Sequence, residues 1–264
     1  MAETLKAILL GILQGIAEFL PISSSGHIEI GQALLGVDIG DYDLAFSIAV
    51  HLGTVLSTIV VFWDEIIGRI KGVLKGSTID IQYATLIIIS MLPVLFVGIF
   101  LKDQVEAIFN GNLLLVGAML CVTALLLLVT IKTSPYNGNL SYVGAFIMGI
   151  AQAFAVLPGI SRSGATISTG LVLGTDRKKV ASFSFLMAIP PILGASILEI
   201  NDLVQLNAVD AVPWGILLAG GLSAFLVGVI ACRIMVQLVL RNKLVYFAAY
   251  CAIVGIATIL WQIL

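Results

Sequence analysis

Charge is what this sequence most lacks. Only 11% of its 264 residues are Asp, Glu, Lys or Arg, against roughly a quarter in a soluble domain, while 60% are hydrophobic. Such a chain cannot cover itself with polar surface, so most of it must face lipid or other apolar helices. The net charge of −2, scattered rather than blocked, provides no basic field for nucleic acid and excludes that partner. Cysteine is scarce too: Cys121, Cys232 and Cys251 lie in apolar runs without CxxC spacing, which excludes a disulfide framework and a zinc site and leaves them as small core residues. Apolar–polar alternation is missing. The apolar runs are continuous, and amides in hydrocarbon must be satisfied within their own segment, so the spanning elements are α-helices rather than barrel strands. A cleavable leader is not indicated: Gln14 and Glu18 interrupt the apolar run after Lys6 and no small-residue cleavage site follows.

What is there is long helix. A span needs about 20 mostly apolar residues, and six stretches qualify: 44–63, 83–101, 112–131, 181–199, 213–231 and 244–264. Pro93, Pro190 and Pro191 are expected to kink spans. Two further apolar stretches, 5–36 and 141–175, are broken near their middles by "LPISSSG" and "LPGISRSG", leaving halves suited to re-entrant hairpins. Lysine and arginine support that division, because cytoplasmic loops hold the positive charge. With both broken segments as hairpins, Arg69, Lys71, Lys75, Lys132, Arg177, Lys178, Lys179, Arg233, Arg241 and Lys243 fall on one side, leaving Lys6 and Lys102 on the other. The expected fold is therefore all-α and integral to the membrane, with six transmembrane helices, two re-entrant helical hairpins and both termini outside. "DRKK", 176–179, reads as a topology signal, and Asp38, Asp41, Asp43, Asp64 and Glu65 as ordinary residues at span ends.

The broken segments also resemble each other. Sliding "GILQGIAEFLPISSSG" (11–26) by 138 positions onto "GIAQAFAVLPGISRSG" (149–164) matches Gly11, Ile12, Gln14, Ala17, Ser23, Ser25 and Gly26 with Gly149, Ile150, Gln152, Ala155, Ser161, Ser163 and Gly164. Three spans follow each copy, so the second enters from the opposite side. This makes one membrane domain, 1–264, of two inverted repeats, 5–131 and 141–264, a pattern that points to a binding site where the broken helices meet.

The chemistry at the breaks is concentrated. Gln14 and Glu18 share a helix face, while Gly11 and Gly15 leave an adjacent surface for close backbone approach. A carboxylate in hydrocarbon is costly, so Glu18 is expected to face a cavity, a cation or a partner. Pro21 ends the half-helix; Ser23, Ser24, Ser25 and Gly26 then offer hydroxyls and free amides suited to phosphate. His27, three residues after Ser24, is expected to accept the Ser24 proton. In the second break Arg162 is the one basic residue left deep in the membrane, and its planar fork suits phosphate. Alternatively it forms an internal salt bridge with Glu18 that needs no ligand, or the two pair in the empty state and part for a cation-bound phosphate. Ser161, Ser163 and Thr166 surround it with hydroxyls. His51, with no comparable neighbours, reads as a satisfied core histidine.

"QGIAEFLPISSSGH" (14–27) and "PGISRSGAT" (158–166) resemble the two signature motifs of the bacterial undecaprenyl-diphosphate phosphatases, and the similarity in span pattern covers essentially the whole chain. The resemblance implies a plasma (inner) membrane enzyme that removes the terminal phosphate of undecaprenyl diphosphate. It would thereby recycle the lipid carrier for peptidoglycan synthesis and confer bacitracin resistance. It implies catalytic roles for Glu18, Ser24, His27 and Arg162, with Ser23, Ser25, Gly26, Gly159, Ser161, Ser163, Gly164 and Thr166 binding phosphate. It also implies dependence on a divalent cation, Mg²⁺ or Ca²⁺, near Gln14 and Glu18, and it permits a homodimer. Gln14 stands where many relatives carry Glu. The nucleophile stays open among Ser24, His27 and a water activated by His27 and Glu18. A transporter or flippase is the competing class, since inverted repeats with broken helices serve transport. An acid-phosphatase-type lipid phosphatase lacks its Lys-x6-Arg-Pro block here, and an intramembrane serine protease lacks its Gly-x-Ser-Gly turn.

Overall fold

The structure, a computed structural model, describes residues 2–35, 43–101, 104–105, 107, 112–133, 137–205 and 213–264. Asp38, Asp41 and Lys102 lie outside them. The described residues form helices α1 (Ala2–Ala17), α2 (Ser24–Leu35), α3 (Asp43–Val61), α4 (Trp63–Leu74), α5 (Thr78–Phe100), α6 (Leu113–Val129), α7 (Tyr142–Phe154), α8 (Arg162–Val172), α9 (Arg177–Leu186), α10 (Ile189–Gln205), α11 (Trp214–Leu240) and α12 (Leu244–Ile263). Side-chain caps fix several starts: Ser77, Asn112, Ser141, Ser161 and Asp176 each accept from amides of the following turn.

Six helical stretches are long and apolar enough to span a membrane: Leu44–Val61, Thr78–Phe100, Leu113–Lys132, Arg177–Gln205, Trp214–Leu240 and Leu244–Ile263. They coincide in order and place with the six expected spans. The fourth is interrupted between α9 and α10. Pro190 and Pro191 lie at the start of α10, where the missing N–H has no helical acceptor anyway, so they open a helix rather than bend one. Pro93 lies inside α5 without ending it.

Burial runs opposite to that of a soluble protein. Gln14, Glu18, His27, Gln152 and Ser161 are buried, whereas Leu218, Ile253 and Ile197 are two-thirds exposed or more; such a surface is stable only against hydrocarbon. Inside, glycines let backbones touch. A Cβ on Gly11 would lie 2.2 Å from the Gly220 carbonyl oxygen, so α1 packs directly on α11, and Gly15 meets Ala224 on the same seam. Gly149 of α7 meets the Ser90 carbonyl of α5 in the same way, and Gly117 of α6 faces Gly255 of α12.

Helices α1, α2, α7 and α8 are 16, 12, 13 and 11 residues long. At about 1.5 Å per residue none crosses roughly 30 Å of hydrocarbon. The helices break off after Ala17 and after Phe154, and two residues adopt left-handed backbone in the breaks, Ser23 (φ 71°) and Gly159 (φ 94°). The two breaks interlock. Gly159 N–H donates to Ser23 Oγ at 3.1 Å, and the Gly26 and Gly159 backbones approach so closely that a Cβ on Gly26 would sit 3.1 Å from Gly159 Cα. Thr123 of α6 clamps the second break, donating to Gly159 O (2.9 Å) and accepting from Ser161 N–H (3.0 Å).

Candidate active site

The interlocked breaks place the start of α2 and the start of α8 at one cavity of about 330 Å³. Glu18, Ser24, Ser25, Ser161 and Arg162 line it. Glu18 is their hub: its Oε2 accepts from Ser24 Oγ at 2.7 Å and from Gln14 Nε2 at 3.1 Å, and its Oε1 accepts from Arg162 Nη2 at 2.5 Å. The ion pair joins residues from the two halves of the chain, and each partner offsets the desolvation of the other. It is one of the two arrangements the sequence allowed for Arg162. The guanidinium is only half committed, because Nη1 is buried with no partner.

His27 is placed differently from expectation. Its Nδ1 donates to the Ser23 carbonyl (2.9 Å), its Nε2 accepts from the Tyr250 hydroxyl (2.8 Å), and its ring stacks on Tyr250. Both ring nitrogens are therefore engaged, and the carboxylate that touches Ser24 belongs to Glu18. Helix α2 begins at Ser24, so His27 N–H reaches back to Ser23 O (3.1 Å) and the ring follows the same carbonyl.

Several residues nominated for phosphate use their hydroxyls to hold the loops together. Ser23 Oγ accepts from Gly26 and Gly159 amides. Ser161 Oγ, on the wall, caps α8 through Gly164 N–H (3.1 Å) and meets Ser163 Oγ. Thr166 Oγ1 donates to Arg162 O and meets Ser184 Oγ at 2.6 Å. Gln14 and Glu18 also do not form a cation cage. Mg²⁺ and Ca²⁺ call for about six oxygen ligands or more, yet both Glu18 oxygens already accept from donors and Gln14 turns its nitrogen toward them. Among the described residues no group of three His, Cys, Asp or Glu side chains is placed to hold a metal.

A family model described as bacitracin resistance protein BacA matches residues 7–257. The chain belongs to the BacA family. Relatives span its full length: a Bacteroides fragilis protein is 49% identical over 260 residues, 97% of each chain. One from Bacteroides thetaiotaomicron is 48% identical over 262 residues, 98% of this chain and 99% of its own. One from Methanosphaera stadtmanae is 40% identical over 283 residues, 100% of this chain and 99% of its own. Each of the three carries the name undecaprenyl-diphosphatase.

In this BacA-family chain four further polar residues, not assigned to the site from sequence, line the cavity: His51, Gln152, Ser196 and Glu199. His51 Nδ1 lies 2.8 Å from the Ser47 carbonyl oxygen; a carbonyl only accepts, so the hydrogen sits on Nδ1. Glu199 carried a signal, an acid at the end of an expected span. Gln152 carried a stronger one as the repeat partner of Gln14. His51 carried none, because only the packing of α3 brings it to this wall.

Proposed function

We propose that this chain is an undecaprenyl-diphosphatase, hydrolysing undecaprenyl diphosphate to undecaprenyl phosphate and inorganic phosphate within the membrane. The observation that carries the reading is the contact of Ser24, Glu18 and Arg162 at one cavity wall. It unites a hydroxyl, a carboxylate 2.7 Å from it and a guanidinium with a free donor, in a chain whose relatives bear that name.

Ser24 Oγ attacks the terminal phosphorus and the bond to the bridging oxygen breaks, releasing undecaprenyl phosphate. Glu18 takes the Ser24 proton. Water then cleaves the phosphoserine, returning the hydroxyl and releasing phosphate. Arg162 follows the phosphoryl oxygens as charge redistributes, and the amide-rich starts of α2 and α8 add positive potential. Positioning and electrostatic stabilisation dominate phosphoryl transfer, so the arginine matters most. His27 holds the Ser23 turn against Tyr250 and is a positioning residue in this scheme.

The two broken helix pairs act as re-entrant hairpins of an inverted repeat, 5–131 and 141–264, in the inner membrane with both termini outside. Support comes from cross-packing: α1 lies on α11 of the other half, as α7 lies on α5. Gly117 and Gly255, which touch, are 138 positions apart, the repeat offset itself. Hydrolysis separates this reading from transport, which needs no nucleophile. Purified Arg162→Ala should release phosphate from a polyprenyl diphosphate in detergent at least about 100-fold more slowly than wild type, and rapid quench of wild type should trap phosphate on Ser24. Wild-type turnover by Arg162→Ala would sink the assignment.

A further inference from the structure

Polar atoms without partners are rare in native interiors, and three of the seven found among the described residues belong to Gln152 and Arg162, on the wall of one cavity. Gln152, near the end of α7, is 2% exposed and lines the cavity, yet neither its Nε2 nor its Oε1 has a hydrogen-bond partner. Its repeat partner, Gln14, is equally buried but gives its nitrogen to Glu18, four residues on. The position four residues after Gln152 is Val156, which offers no acceptor. The second half therefore keeps the carboxamide and lacks the acid that would occupy it. On the wall of the same cavity, Arg162 leaves Nη1 unpartnered.

A buried carboxamide without a protein partner is destabilising unless something in the cavity meets it. The occupant must accept from an amide N–H and tolerate a guanidinium nearby, which describes a phosphate oxygen. An aliphatic side chain at 152 would line the wall without that cost. We propose that Gln152 is a substrate-binding residue, its Nε2 donating to a non-bridging oxygen of the prenyl diphosphate bound by Arg162, and its Oε1 accepting from water in the occupied cavity. This rests on the phosphatase reading and adds a residue to its substrate subsite. Because no protein group depends on the amide, its contribution is confined to the bound state.

Gln152→Met keeps the length and volume of the side chain and removes donor and acceptor. In purified protein it should raise KM for a polyprenyl diphosphate about tenfold and weaken competitive inhibition by inorganic phosphate by a similar factor. Its kcat should stay within a few-fold, and its ligand-free melting temperature should be equal to or above wild type. Gln152→Glu, which sets a carboxylate against the anion, should lose more than Gln152→Met. Unchanged KM and phosphate inhibition in Gln152→Met overturn the proposal, as does a lowered melting temperature with unchanged kinetics, which would mark a structural amide. Wild-type protein that releases no phosphate overturns the phosphatase reading and this inference together, whereas an active wild type indifferent to residue 152 overturns this inference alone.

Discussion

Glu18 receives three donors, from Gln14, Ser24 and Arg162, and it is where the site's chemistry and its stability meet. Removing its charge should harm both. Glu18→Gln leaves the Ser24 proton without a carboxylate and leaves the Arg162 guanidinium uncompensated, a loss of about 3–5 kcal/mol when one member of a buried pair is removed. The variant should be nearly inactive and should melt well below wild type; an active Glu18→Gln would exclude Glu18 as proton acceptor. At this scale the sequence was informative about which residues matter and less so about what they touch. Glu18, Ser24 and Arg162 stood out because polar groups in an apolar run need a reason. The direction of His27 was hidden, because spacing along α2 allows the ring to meet Ser24 or to fold back on Ser23, and Tyr250, far along the chain, decides it. Gln152 could have been found, since the repeat that exposed Gln14 also matched it.

At the scale of elements, glycine seams set helix placement. A methyl at Gly11 would overlap the Gly220 carbonyl, whereas Gly98 and Gly194 have no atom near the Cβ position. Gly11→Ala should therefore destabilise by about 1–3 kcal/mol through forced separation of α1 and α11, and Gly98→Ala should be neutral or gain up to about 1 kcal/mol from helix propensity. Unfolding in mixed detergent measures both; equal effects would show that the seam is not close-packed. The six long helices were legible from apolar length alone. The interruption between α9 and α10 was not, because a proline pair reads equally as a kink or as the first turn of a new helix, and only its distance from the preceding helix end separates the two.

At one end of the molecule two basic residues reach asparagines far along the chain. Arg177 donates to Asn242 and Lys179 to Asn139, beside the bridge between Gly138 and Thr175. The proposed orientation puts these lysine- and arginine-rich loops on the cytoplasmic side. A cysteine at Ser77 should accordingly be labelled by an impermeant thiol reagent only from the cytoplasmic face of oriented vesicles, and one at Trp214 only from the outer face. Labelling of both from one face would refute the proposed orientation. Burial shows the same logic at this scale, with leucine and isoleucine outward and glutamine, serine and histidine inward.

The bond between Arg162 and Glu18 spans 144 positions, and that separation has a temporal meaning. Translation at roughly 5–20 residues per second makes the acid about 7–30 seconds before its counterpart exists. Until then a newly made chain holds a carboxylate with no guanidinium to neutralise it, and no partial product of the ribosome that stops short of Arg162 owns both members of the pair. The pair closes late, once the second half of the chain has been made.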